Sequence, residues 1–557
     1  MKNWHLILGL ILMTLVFVIG CGEKKEIKLE KKDVNYVKAQ LQKFAPVEIA
    51  FDKKILSEKD QQVVEKLVEA ANYIDRIFLR QVYSKNEEIL QTLENSRDAN
   101  EKVYLDYFKI MYGPFDRLNE NTPFLVSEPK PKGANFYPEN LTKDEFHNWL
   151  ENHPKDKEAF ESNFTIIRRD GDKLKAIPYS EAYKDLLKPA AKLLKQAAEL
   201  SENESLKKFL SSRADAFLSD DYFQSDMDWM DLDSQIEIVI GPYEVYEDEL
   251  FGYKAAFEAF ITVVDPVESQ KLQIIGKYLN EMEKNLPYAE KYKNFDRGSS
   301  SPIKVVQEIY TAGDTRAGVQ TLAFNLPNDE RVREAKGSKK VLLKNVQEAK
   351  FEKILMPIVN KVIAKSQLPR VSFDAYFNHI LLHEVSHGLG PGTLTLANGE
   401  KTTVNKMLKD AYSTIEEAKA DICGNYNVQF LIDLGVLPKK LEESLYVTFL
   451  GGIFRSVRFG INEAHGMANM IQFNFLMENN GFNYDENTGK FSVDQEKART
   501  AVRNLAHVLL TIEAEGNYNA AKQLIENYGV MTEEMKAALD KLNDIPVDIK
   551  PIYEVGS

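Results

Sequence analysis

Residues 383–387 read HEVSH, two of the chain's eight histidines set four apart around a glutamate. On a helix that spacing puts both imidazoles on one face, about one turn apart. Two imidazoles suit a borderline-soft ion such as zinc better than magnesium or calcium. Glu384, one step round the helix, can then reach a metal-bound water and take its proton. Taken alone, the pattern also fits two solvated or capping histidines at a helix end, so a third ligand decides between the readings. The stretch STIEEAKADICGNY at 413–426 offers one on a second helix. Ser413 or Thr414 can cap that helix and place Glu416 and Glu417 in its first turn. Glu417 and Asp421 share a face, so one can bind metal while the other orients a ligand histidine.

These groups need rigid elements to hold them. Phe377, Ile380, Leu381 and Val385 give the first histidine segment a helical apolar pattern, and Gly388 with Pro391 stops it. From about 34 to 220 the pattern is mostly helical, as in QQVVEKLVEAANYIDRIFLRQVY. A proline- and glycine-punctuated connection follows at 112–141. Residues 234–246 alternate apolar and polar groups and predict a strand, and 315–330 predicts a second. From 349 onward long helices dominate. The expected class is mainly α with a smaller β part (α+β), one sheet or barrel being fed by two separated segments.

A chain of 557 residues exceeds one simple core, so at least two lobes are expected. Hydrophobic content of 44% and charged content of 28% fit an ordinary globular protein. The net charge of −14 argues against a nucleic-acid partner, which calls for a basic surface. Lys2 followed by an apolar run to Gly20 predicts an export signal over 1–20. Gly20-Cys21 resembles the lipobox of bacterial lipoproteins, which implies a lipid on Cys21 and a charged tether over 21–33. The expected location is extracytoplasmic, lipid-anchored to a bacterial membrane at the outer membrane or periplasmic face. With Cys21 lipidated, only Cys423 remains, so no intramolecular disulfide can form; Cys423 reads as a small buried apolar group.

The two histidine- and glutamate-bearing segments, HEVSHG and EEAKAD, resemble those of the dipeptidyl peptidase III family of zinc metallopeptidases. The resemblance extends in order through IGPYEVYEDELFGYKAAFEAFITVV at 240–264, AFNLPNDERVREAKGSKKVLLKNV at 323–346, FDAYFNHILLHE before the zinc helix, and EAHGMANMIQFNFL at 463–476. It covers about 230–480. It implies one zinc per chain held by His383, His387 and Glu417, with Glu384 activating water and then protonating the leaving amine. It also implies that His465 stabilises charge on the substrate carbonyl and that Glu416 and Asp421 hold the ligand histidines. Asn325 and Asn328 would hold the substrate main chain and N-terminus, and Glu237 its ammonium. Read from local chemistry, the two asparagines also fit turn formers around Pro327. Arg455, with Arg458 near it, is a candidate for a peptide carboxylate or a solvated cation.

The resemblance implies two lobes separated by a cleft, a helical zinc lobe and a mixed lobe with a β-barrel whose edge pairs with a peptide. We expect 34–258 and 309–355 in the mixed lobe, and 259–308 and 356–557 in the helical one. The implied activity is release of dipeptides from short peptides with a free N-terminus, by a monomer. A zinc aminopeptidase or oligopeptidase of different cut length would share every metal residue, and a non-catalytic peptide-binding lipoprotein would not need Glu384. Three departures bear on activity. Val239 stands where the family has tyrosine, which would leave a hydrogen bond to another group such as Tyr243. Asn469 stands where an arginine is frequent, and the gap between the two zinc helices is short.

Overall fold

A computed structural model describes residues 28–295, 302–396 and 398–555. The expected signal over 1–20, Cys21 and the first part of the tether lie outside the described residues. After β1 (Phe44–Ile49), Ser57 and Asp60 form a capping box that starts α1 (Glu58–Val82). One stripe of α1, including Leu67, Ala71, Ile74 and Phe78, is buried against α2 (Lys184–Leu200) and the central sheet. On its other side α2 carries α3 (Glu204–Ser219).

The sheet has five strands: β2 (Ile236–Glu244), β3 (Ala256–Val264), β4 (Ile303–Gly313), β5 (Ala323–Leu326) and β6 (Lys339–Leu343). Their spatial order is β2-β3-β4-β6-β5. Only β4 and β6 run parallel. The sheet curls, so that Phe324 of β5 lies 4.3 Å, ring centre to ring centre, from Phe260 of β3. Asn328 just beyond β5 likewise donates its side-chain amide to the Tyr243 carbonyl at the end of β2, at 3.0 Å.

The sheet departs from the sequence reading in an instructive way. The strand expected over 315–330 is only the four residues of β5, while β3, β4 and β6 showed no alternation to read. Strand β3 is buried at every position but the last, because helices cover one face and the curl closes the other. Burial on both faces removes the alternation by which strands are recognised. The lobe boundaries drawn after 258 and before 309 therefore fall inside β3 and β4, which share one ladder. Residues 266–285, in contrast, are helical, and Asn285 accepts a bond from Tyr426 of the helical half.

The helical half is built on α4 (Phe373–Ser386), α5 (Tyr412–Asp433), α6 (Leu445–Val457), α7 (Ala464–Glu478) and α8 (Gln495–Glu515). α5 lies between α4, α7 and α8 and is buried nearly all round. Gly424 permits its closest approach to α4: a Cβ there would sit 2.9 Å from the His383 amide nitrogen. α5 begins at Tyr412, two or three residues earlier than expected, so Glu416 and Glu417 lie inside the helix. Their placement thus owes nothing to an exposed helix start. The last strand, β7 (Asp548–Tyr553), leaves the helices and pairs in parallel with β1. Tyr553 donates to Glu308 of β4 at 2.7 Å, so this strand packs with the sheet although the sequence reading assigned 356–557 to the helices.

Candidate metal centre

Ser372 caps the start of α4 by accepting from the Ala375 amide, and buried Phe377, Leu381, Leu382 and Val385 seat the helix in the core. The His387 amide bonds back to the His383 carbonyl at 3.2 Å, so the five-residue motif is regular helix and needs no bulge. Both imidazoles emerge on one side with their Nε2 atoms 3.1 Å apart. Glu417 reaches them from α5, its Oε2 being 3.4 Å from His383 Nε2 and 4.0 Å from His387 Nε2.

The outward nitrogens are fixed. His383 Nδ1 donates to Asp421 Oδ1 and His387 Nδ1 to Glu416 Oε1, each at 2.8 Å. Burial alone would raise both carboxyls. His383 outweighs it at Asp421, and Lys419 with His387 at Glu416, holding both well below the usual carboxylate range. An ionised acceptor demands a hydrogen on Nδ1, which turns each Nε2 lone pair toward Glu417. Glu417 Oε2 is buried without a hydrogen-bond donor. Two imidazole lone pairs and an orphaned carboxylate oxygen, all within 4.8 Å of one another, make a donor set that fits one divalent cation.

Two groups around this centre were not read from sequence. Lys419, within EEAKAD, donates from its buried Nζ to Glu416 Oε1 at 2.8 Å and to the carbonyls of Ser386 and Leu389. It thereby ties the carboxylate that orients His387 to the end of α4. Its position three residues after Glu416, on the same face, was the available signal. Gln472 of α7 donates to Asp421 Oδ2 at 3.0 Å, alongside Asn469 at 3.4 Å. Asn469 thus braces the carboxylate behind His383 and also donates to the His465 carbonyl at 2.9 Å.

His465 opens α7, where Glu463 caps the helix. Its Nε2 lies 3.3 Å from Glu417 Oε2 while 61% of its side chain stays exposed, so it edges the centre from the solvent side. Glu384 faces the sheet half. Burial would raise its carboxyl, but charges on His383, Lys340 and His387 draw it below its ordinary value. A cavity of about 950 Å³ runs between the halves, with Ile303, Lys304 and Lys340 on one wall and Glu384, His387 and Leu389 on the other.

The expected substrate groups fare less evenly. Asn325 and Asn328 are both exposed, at and just past the outer edge of the sheet. Glu237 is corrected: its carboxylate is 1% exposed and paired with Lys304 at 3.0 Å and Lys339 at 3.1 Å, so its charge is already matched. Inward on a strand buried on both faces, it does not reach a substrate ammonium. Tyr243 does not replace the tyrosine missing at buried Val239, because its hydroxyl accepts from Arg213 at 2.6 Å inside the core. Arg458 donates to the carbonyls of Leu542, Ile545 and Pro546 and pins the chain before β7. Arg455 is half-buried on α6, and among the described residues no hydrogen bond or ion pair joins it to the histidine cluster.

A two-lobed helical and β scaffold with a two-histidine, one-glutamate centre and a glutamate beside it defines a metallopeptidase. The chain belongs to peptidase family M49, whose model matches residues 155–443. The solved structure of dipeptidyl peptidase III from Caldithrix abyssi is 58% identical, with a TM-score of 0.90 over 93% of this chain and 99% of that one. That of dipeptidyl-peptidase III from Corallococcus sp. strain EGB is 42% identical, with a TM-score of 0.77 over 94% and 98%. A protein described as Nudix hydrolase 3 from Arabidopsis thaliana is 41% identical over 588 residues, which span 96% of this chain and 76% of that protein.

Proposed function

We propose that the protein is a zinc-dependent exopeptidase that releases dipeptides from the N-terminus of short peptides. The observation that carries this reading is the pair of inward Nε2 atoms, each set by a carboxylate behind it, facing the donor-less Oε2 of Glu417. His383, His387 and Glu417 would hold the zinc. Bound there, zinc supplies Lewis acidity, which acidifies water and polarises the scissile carbonyl. Glu384 accepts the proton of the attacking water and returns it to the leaving amine. His465, at the solvent edge, donates to the carbonyl oxygen as negative charge grows on it.

The peptide adds as a further strand along β5, whose outer edge has no ladder partner among the described residues. Asn325 and Asn328 bind its main chain. With Glu237 taken by two lysines, the ammonium passes to Glu244, which Asn328 contacts at the end of β2. A fixed carboxylate holding the ammonium is what would set the length of the cut. The likeness to two solved dipeptidyl peptidase III structures supports a two-residue cut over an aminopeptidase or oligopeptidase. Export by the 1–20 signal and anchoring through a lipid on Cys21, with the enzyme acting as a monomer, complete the proposal.

The test is to incubate zinc-loaded protein with matched N-free and N-blocked oligopeptides and to weigh the products. Dipeptides from the free substrates only are expected. Single amino acids, internal fragments, or no products from protein that retains its zinc would each overturn the reading.

A further inference from the structure

We infer that Lys340 is a positioning residue for Glu384, joining the sheet half that takes the peptide to the carboxylate that takes the proton. Lys340 lies on β6, where its register partners are Asn325 of β5 on one side and Ile303 of β4 on the other. Its Nζ crosses the cleft and donates to Glu384 Oε2 at 2.9 Å and to the Glu384 backbone carbonyl at 3.1 Å. The two side chains are 15% and 20% exposed, so solvent screens the pair little.

The double contact matters more than the charge. The backbone carbonyl anchors the ammonium, and the anchored ammonium then restricts the rotamers of the Glu384 side chain. With Oε2 occupied, Oε1 is left to accept from a water. Neighbouring lysines cannot take this place. Lys339 points to the opposite face of β6, where it pairs with Glu237 and covers the Trp229 ring. Lys304 also pairs with Glu237.

Lys340 belongs to the sheet half and Glu384 to the helical half. Both bonds therefore require the halves to lie as they do here, since a relative shift of about an ångström takes each beyond hydrogen-bond length. A peptide paired along β5 lies one strand away from Lys340.

This inference rests on Glu384 acting as the base, so its test includes a readout that needs no turnover. A zero-length carbodiimide condenses a carboxylate with an adjacent amine, losing water and forming an amide. Digestion and mass spectrometry should find a Lys340–Glu384 linked peptide in the native protein and none in Lys340→Met. In kinetics, Lys340→Met should lower kcat about tenfold or more with KM within about twofold, the pattern of a misdirected group rather than a lost binding contact. Zinc content should be unchanged and Lys340→Arg should recover most of the rate. In a Glu384→Asp background, whose shorter side chain already breaks the contact, Lys340→Met should cost nothing further. No cross-link in the native protein, an undiminished kcat in Lys340→Met, or equal losses in both backgrounds would overturn the inference. A native protein that cross-links but cleaves no peptide would sink the peptidase reading and leave the pairing established.

Discussion

The histidine pair and the asparagine pair of this protein are held in opposite ways. His383 Nδ1 and His387 Nδ1 each meet a carboxylate, and those carboxylates have partners of their own: Asp421 is braced by Gln472 and Asn469, Glu416 by Lys419. Asn325 and Asn328 stand exposed at and just past the last strand of a sheet, Asn328 reaching the Tyr243 carbonyl and the Glu244 side chain. Under the proposed function, the difference follows from the tasks. A metal needs three donors fixed to a few tenths of an ångström, whereas a strand edge must admit peptides of many sequences and supplies main-chain bonds that any of them can use.

The contrast can be broken at its rigid end first. Glu384→Gln should lower kcat about 10³-fold while zinc, measured by mass spectrometry of the metal, stays bound. Loss of metal instead would show that Glu384 belongs to the ligand framework. Asp421→Asn should weaken zinc about 10- to 100-fold in chelator competition, because the His383 ring loses the ionised acceptor that sets its tautomer and raises its basicity. Gly424→Ala forces α4 and α5 apart at the His383 amide, and thermal unfolding should register a loss of about 1–3 kcal/mol.

The sheet half should respond more softly. Burial lifts the Glu308 carboxyl to about 7 from its ordinary 4.5, so the folded protein keeps a proton that the unfolded chain has released. Stability from this group is therefore full below the ordinary value and is lost as pH rises through about 7. Glu308→Gln should remove that slope, and melting curves between pH 5 and 8 would show it. Asn328→Ala, at the permissive end, should raise KM about fivefold with kcat nearly unchanged, the loss of one net hydrogen bond. A fall in kcat alone would place Asn328 with the rigid set.

The same contrast explains what could be read from the sequence. His383, Glu384, His387, Glu416, Glu417 and Asp421 lie on two helices, where a spacing of four translates directly into a shared face. Lys419 escaped because a cation between carboxylates reads as a solvated spacer, and only burial shows that it holds them. The sheet was harder. Ile303–Gly313 carries almost no polar alternation because both its faces are covered, and Glu237 gave no sign that two lysines distant in sequence would meet it. Lys340 was illegible for the same reason: its partner stands 44 residues away on an element of the other half. Pairings between strands and between halves are set by the closed fold and leave no local period.

The parallel pairing of β1 with β7 also orders events in time. Phe44 waits for Asp548, about five hundred residues later, before its ladder can form, the kind of long-range closure that comes late in folding. A chain stopped anywhere short of Tyr553 would leave an open strand edge at its beginning and an unmatched Glu308 inside.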